Sequence, residues 1–236
     1  MQISEIFNQL AYGELKQHGI GGQGDGIQPE SYPELVAHLN FSLLNIYTRF
    51  PVLEKELILN PLLNKTLYKL DPSNAFSSGN EDWFIEDSIE CPFLGDILRL
   101  NAVYKEDGTE LMFNDEHADE TIYTPSYNMV QIPLSITGPL YFIYRGKPER
   151  VVAPADENEI DDFLNQEVTI PDVLTEALFA YIEYRVCKGI GGELGLAQAS
   201  VAKQQYELSC VEVESRNLLN TSAHATSIKP EKGGWV

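Results

Sequence analysis

The sequence predicts an α+β protein: a bundle of about four helices, an antiparallel, mainly β subdomain inserted into it, and an extended C-terminal tail. Three observations predict this. Apolar residues recur at helical spacing near both ends of the chain. Strand-like alternation and tight-turn signals fill the middle. The stretch 221–236 (TSAHATSIKPEKGGWV) has no period at all. The expected divisions are 1–50 for the N-terminal helices, 51–150 for the inserted sheet and 151–170 for an acidic linker. A closing helix pair follows over 171–220, then a tail over 221–236.

At the N-terminus, Ser4 is placed to cap a helix through its hydroxyl, and Phe7, Leu10, Ala11 and Leu15 follow at helical spacing. Gly19 and Gly21-Gly22 are expected to end it. The glycine-rich stretch 19–28 (GIGGQGDGIQ) lacks the spacing, the preceding strand and the βαβ setting of a dinucleotide loop, and reads as a turn. A second helix starts near Pro29 or Ser31 and runs to about Phe50, with Pro33 in its first turn and Pro51 stopping it. Its apolar stripe (Leu35, Val36, Leu39, Leu43, Leu44, Ile46, Tyr47) is broad enough to need partners on more than one side. His38 has no Cys or His near it in sequence and reads as a packed or surface residue.

From 52 to 148 strands dominate, about five of them. Leu53, Lys55, Leu57 and Leu59 alternate with Glu54, Glu56 and Ile58, and 66–70 is a further short candidate. A loop covers 71–80. The clearest hairpin joins 97–105 to 109–113 through Asp107-Gly108, a pair that accepts the positive φ of a tight turn. Two more strands are expected over 129–134 and 140–144, with Gly138-Pro139 turning between them and Pro133 suggesting an edge. In the polar linker, Ile160, Phe163 and Leu164 form a short helical turn packing locally.

The third helix begins at Pro171, where the missing N–H costs nothing, and Asp172 and Glu176 favour its positive end. The fourth carries small residues (Ala197, Ala199, Ser200, Ala202) that permit close helix approach, then Tyr206, Leu208, Cys210 and Val213. Lys203, Glu207, Glu212, Glu214 and Arg216 form its wet side. Only 189–193 (GIGGE) separates the two helices.

Charge narrows the partners. There are 16 basic and 36 acidic residues, a formal charge of -20. Residues 81–120 hold 13 carboxylates against Arg99 and Lys105, and 149–176 hold nine against Arg150. No Lys/Arg cluster offers a face to nucleic acid. Such a surface serves solubility, or walls off something that must not stick, such as DNA in a channel. No apolar run reaches the length of a membrane span, and the N-terminus lacks a secretory pattern. Cys91, Cys187 and Cys210 are odd in number and widely spaced, fitting reduced, buried thiols.

No catalytic constellation stands out, and no enzymatic activity, cofactor or metal site is expected. The string 115–120 (DEHADE) lacks the glycine and ligand order of an EF-hand and the His spacing of a zinc helix. There is no Gly-x-Ser-x-Gly elbow and no P-loop lysine. The histidines His18, His38, His117 and His224 are scattered.

The organisation resembles that of the head–tail adaptor (connector) proteins of tailed bacteriophages. The N-terminal MQISEIFNQLAYGEL, the inserted sheet and the closing IPDVLTEALFAYIEYRVCKG and LAQASVAKQQYELSCVE carry the likeness. Most specific is the form P–x–x–L–x–x–A–L–x–x–Y, matched by Pro171, Leu174, Ala177, Leu178 and Tyr181, and followed by Tyr206-Glu207. The resemblance implies a virion neck protein, assembled in the host cytoplasm, forming a ring of about twelve subunits. That dodecamer would bind the portal protein above and a downstream tail or nozzle protein below. DNA would pass through without specific binding, and no membrane would be involved.

Leu174, Leu178, Tyr181, Tyr184 and Tyr206 are then expected to pack between neighbouring copies. Ile228, Trp235 and Val236 would dock the tail on the portal. The alternatives are a tail-completion or tail-terminator ring protein and an acidic protein that mimics DNA.

Overall fold

A computed structural model of the protein describes residues 1–18, 20, 26–118 and 120–219. The chain is α+β, and it divides into a helical unit, Met1–Val52 with the segment from Pro148 on, and a sheet unit, Leu53–Lys147. The expected tail residues Ile228, Trp235 and Val236 lie outside the described residues.

The helical unit contains α1 (Ile3–Tyr12), α2 (Tyr32–Arg49), α3 (Ile160–Asn165), α4 (Thr175–Ile190) and α5 (Gly192–Ser215). Ser4 does not cap α1. The helix starts at Ile3, with Gln2 rather than Ser4 at the cap position, and Ile3 N–H donates to Gln166 O at 3.0 Å, while Val168 N–H donates to Met1 O at 2.8 Å. Backbone pairing with the returning chain thus satisfies one of the four free N–H donors at the start of the helix. The helix also stops earlier than expected, at Gly13, whose N–H donates to Gln9 O at 2.8 Å. Leu15 is nevertheless fully buried from the turn that follows.

The short helix α3 packs far from its own sequence neighbourhood. Phe163 lies 5.9 Å from the Phe7 ring and 5.5 Å from Tyr32, which closes the triangle with Phe7 at 5.3 Å. Such tilted aromatic triplets add to their burial. On α2, Leu35, Val36, Leu39, Leu43, Ile46 and Tyr47 are buried, whereas Leu44 is exposed. Asn40 clamps the returning chain, donating to Val151 O at 2.8 Å and accepting Val151 N–H at 3.0 Å.

Among the described residues the sheet unit holds eight strands rather than about five. They are β1 (Glu54–Leu59), β2 (Leu67–Lys69), β3 (Ile85–Glu86), β4 (Ile97–Lys105), β5 (Glu110–Phe113), β6 (Thr121–Ser126), β7 (Met129–Gln131) and β8 (Leu140–Gly146). Their order is β2-β7-β6-β5-β4-β8-β1-β3. All pairs are antiparallel except β5 with β6. Tyr68 on one edge strand lies 5.1 Å from Phe84, which precedes the other. The sheet therefore curls, and its two edges meet over a shared core of Leu57, Leu59, Val103, Ile122, Val130 and Phe142. Curling leaves less open edge to pair with other chains.

Turn chemistry explains the departures from the sequence reading. In the β4–β5 hairpin only Gly108 takes positive φ (+78°), and Gly108 N–H donates to Lys105 O at 2.9 Å, so the connection is a type I turn followed by a glycine bulge. Strand β6 contains Pro125, and the β6–β7 register shifts between Tyr123 and Ser126, where the missing N–H is tolerated. Pro133 marks no edge. It follows β7, which is flanked by β2 and β6.

One carboxylate braces the loops of this unit. Asp87 accepts Ser77 N–H at 2.7 Å, the Ser77 hydroxyl at 2.5 Å and Phe93 N–H at 2.8 Å. Burial pushes its carboxyl up, but these donors outweigh it and hold Asp87 below the usual carboxylate range. Asp87→Ala is expected to destabilise the sheet unit by about 2–3 kcal/mol, because it orphans two loop N–H groups. Urea titration in a Trp235→Phe background, where Trp83 is the sole tryptophan fluorophore, checks this.

Candidate assembly surface

Helices α4 and α5 form an antiparallel hairpin with a minimal connection. Gly191 takes φ +69° and Gly192 φ +67°, conformations that strain residues with a side chain, so the chain reverses almost without a loop. The hairpin closes tightly because Gly195, Ala199 and Ala202 face inward. A Cβ at Gly195 would stand 2.9 Å from the Cys187 carbonyl oxygen. Of the small residues expected to permit close approach, Ala197 and Ser200 face outward instead.

The five expected ring-packing residues lie together, and the protomer itself uses them. Leu174 and Leu178 are fully buried and Tyr206 is 1% exposed. Tyr181 and Tyr184 are half-buried. The Tyr181 ring stands edge-on to Tyr206 at 4.9 Å and to Tyr184 at 5.5 Å. Tyr206 donates its hydroxyl to Asn45 Oδ1, and Asn45 Nδ2 donates to the Tyr181 hydroxyl at 3.4 Å. Burial pushes the Tyr206 phenol well above its ordinary range. Lys203 Nζ lies 4.5 Å from the Tyr206 ring centre, a cation–π contact.

Arg49 at the end of α2 binds the other flank of α5. Its Nε donates to Glu214 at 2.8 Å, Nη2 to Glu214 at 3.1 Å and Nη1 to Glu207 at 2.7 Å. The Lys203 ammonium and Arg49 hold Glu207 below the usual glutamate value, and Arg49 does the same for Glu214. The residues expected to form a wet side thus include a clamp between α2 and α5. Arg49→Ala is expected to cost about 1–2 kcal/mol at neutral pH. Because the folded carboxyls titrate below their unfolded value, this stabilisation is complete above that value and disappears as pH falls through the folded ones. Thermal melts of wild type and variant should therefore converge as the pH falls below the ordinary glutamate range.

With the inward positions filled, the outward side of α5 is the unusual one. Leu194, Ala197, Val201, Gln204, Leu208 and Val211 are spaced alternately three and four residues apart, and all are exposed. Leu194 is 73%, Val201 67%, Leu208 57% and Val211 52% exposed. Leu208, expected inside, belongs to this row. This alternation, with Gln204 as its one polar position, has the spacing of a coiled-coil seam. On α2, Phe41 and Leu44 are also exposed, at 52% and 40%.

Cys91 is exposed, contrary to expectation, while Cys187 and Cys210 are buried, and all three thiols are free. Among the described residues no helix is long and apolar enough to cross a membrane. Compared with protein-family models the chain matches none, and compared with curated proteins it has no match.

Proposed function

We propose that this chain is a structural protein of a tailed-phage virion, a head–tail adaptor whose copies close into a ring beneath the portal. The observation that carries this reading is the outward aliphatic row of α5. Removing its four large side chains from water is worth about 1–2 kcal/mol each. A single such contact barely offsets the cost of associating two chains. In a closed ring every subunit makes the contact twice, once with the row and once with the face that receives it. The proposed receiving face is Phe41 and Leu44 on α2, with the Arg185 guanidinium 4.6 Å from the Phe41 ring centre.

The charge supports the same reading. A formal charge of -20 leaves the protein repelled by phosphate, which suits a wall past which DNA moves without counterion-releasing contacts. The ring would meet the portal protein above and a tail or nozzle protein below, in the phage neck, after assembly in the host cytoplasm. The stretch 221–236, with Ile228, Trp235 and Val236, is the proposed portal-docking segment.

The test is the rotational symmetry of the chain bound to a portal ring, read by electron microscopy. Twelve-fold rings attached to the portal are the expected result. A six-fold ring would instead favour a tail-completion or terminator protein. A monomer that ignores the portal and binds a nuclease would favour a DNA mimic.

A further inference from the structure

Apart from the assembly surface, three ligand-type atoms converge near the end of α4. Glu183 and Cys187 stand one turn apart on the same face of that helix. His18, from the turns after α1, reaches both: its Nε2 lies 3.5 Å from Cys187 Sγ and 3.5 Å from Glu183 Oε1. All three ligand atoms fall within 4.8 Å of one another. The His18 side chain is 6% and that of Glu183 26% exposed, and Cys187 is fully buried.

We propose that His18, Glu183 and Cys187 form a divalent transition-metal site, of the class that takes zinc, which ties the segment after α1 to α4. The two separations from His18 Nε2, 3.5 Å each, fit the ion. Around a tetrahedral zinc with Zn–S about 2.3 Å and Zn–N or Zn–O about 2.0–2.1 Å, neighbouring ligand atoms stand roughly 3.3–3.6 Å apart. The donor set, one sulfur, one nitrogen and one oxygen, suits a borderline ion. Calcium and magnesium, which seek six or more oxygens, are poorly matched.

A nucleophile relay fits less well. In a relay the histidine uses opposite ring nitrogens for the thiol and the orienting carboxylate. Here the closest approach to both is through Nε2.

The position of Cys187 is set by backbone packing, since Gly195 of α5 sits against its carbonyl.

Cobalt(II) titration of the full-length reduced chain tests the site. A cobalt–thiolate charge-transfer band saturating at one equivalent is expected. Zinc at a hundred times its Kd should raise the unfolding midpoint of the helical unit by about 5–10 °C. Cys187→Ser should abolish the band and weaken zinc more than about a hundredfold, since even outer-shell partners cost 10–100-fold. His18→Gln should weaken zinc similarly with unchanged circular dichroism, while Cys91→Ser and Cys210→Ser keep the band. No band in the wild-type chain, a band that survives Cys187→Ser, or zinc affinity indifferent to His18→Gln would each overturn the proposal.

Discussion

Leu208→Asp should abolish ring formation while leaving the protomer folded. Leu208 is 57% exposed in the single chain, so the substitution removes little internal packing, and its effect on protomer stability should stay within about 0.5 kcal/mol. In an assembled ring the same carboxylate would be buried without a partner, beside Glu207 and Glu212, which already flank the row. An unpaired buried charge costs several kcal/mol, comparable to what the remaining aliphatic contacts return, and a contact that barely offsets the cost of association does not survive that loss. Sedimentation velocity with the portal ring present should show only free protomer, with a wild-type circular dichroism spectrum and melting temperature. Rings forming at wild-type yield would remove this row from the contact.

Leu178→Ala should do the opposite. Leu178 is fully buried within the helical unit, and truncating such a side chain costs about 2–5 kcal/mol. The variant should unfold at markedly lower urea, and any loss of rings should track the unfolded fraction and vanish on cooling or with added osmolyte. Rings lost at full protomer stability would show that Leu178 acts between copies. The two variants together separate what holds the protomer from what joins it to its neighbours.

The distinction between those two sets of residues was only half legible in the sequence. Pro171 and the glycines at 191 and 192 punctuate the closing hairpin, and the apolar character of Leu174, Leu178 and Tyr206 marks them as buried. Nothing in their spacing says whether the covering surface is α2 or another copy. The Asn45–Tyr206 contact, which answers this for the protomer, spans most of the chain. The outward row of α5 was hidden differently. Apolar residues lie on both sides of that helix, so the two stripes cancel as a periodic signal. The alternating 3–4 spacing from Leu194 to Val211 was nonetheless written in the order of residues, and a heptad count would have found it.

The sheet divides along similar lines. The β4–β5 hairpin carries its turn residues openly. Strand β3 is two residues long, and β6 contains a proline that argues locally against a strand and is accommodated by a bulge only its partner defines. The convergence of His18 with Glu183 and Cys187 had no sequence signal at all, because it depends on where the chain after α1 returns to α4.

The most direct test of the account is the reactivity of a thiol placed in the α5 row. In a Cys91→Ser background, Leu208→Cys should react with a maleimide at the rate of an exposed thiol in the free chain. It should be protected by at least about tenfold when the chain is bound beneath a portal ring, as burial at an interface core requires. Equal reactivity in the free and bound chain would mean that the row stays in water after assembly, and the proposed ring contact would be wrong.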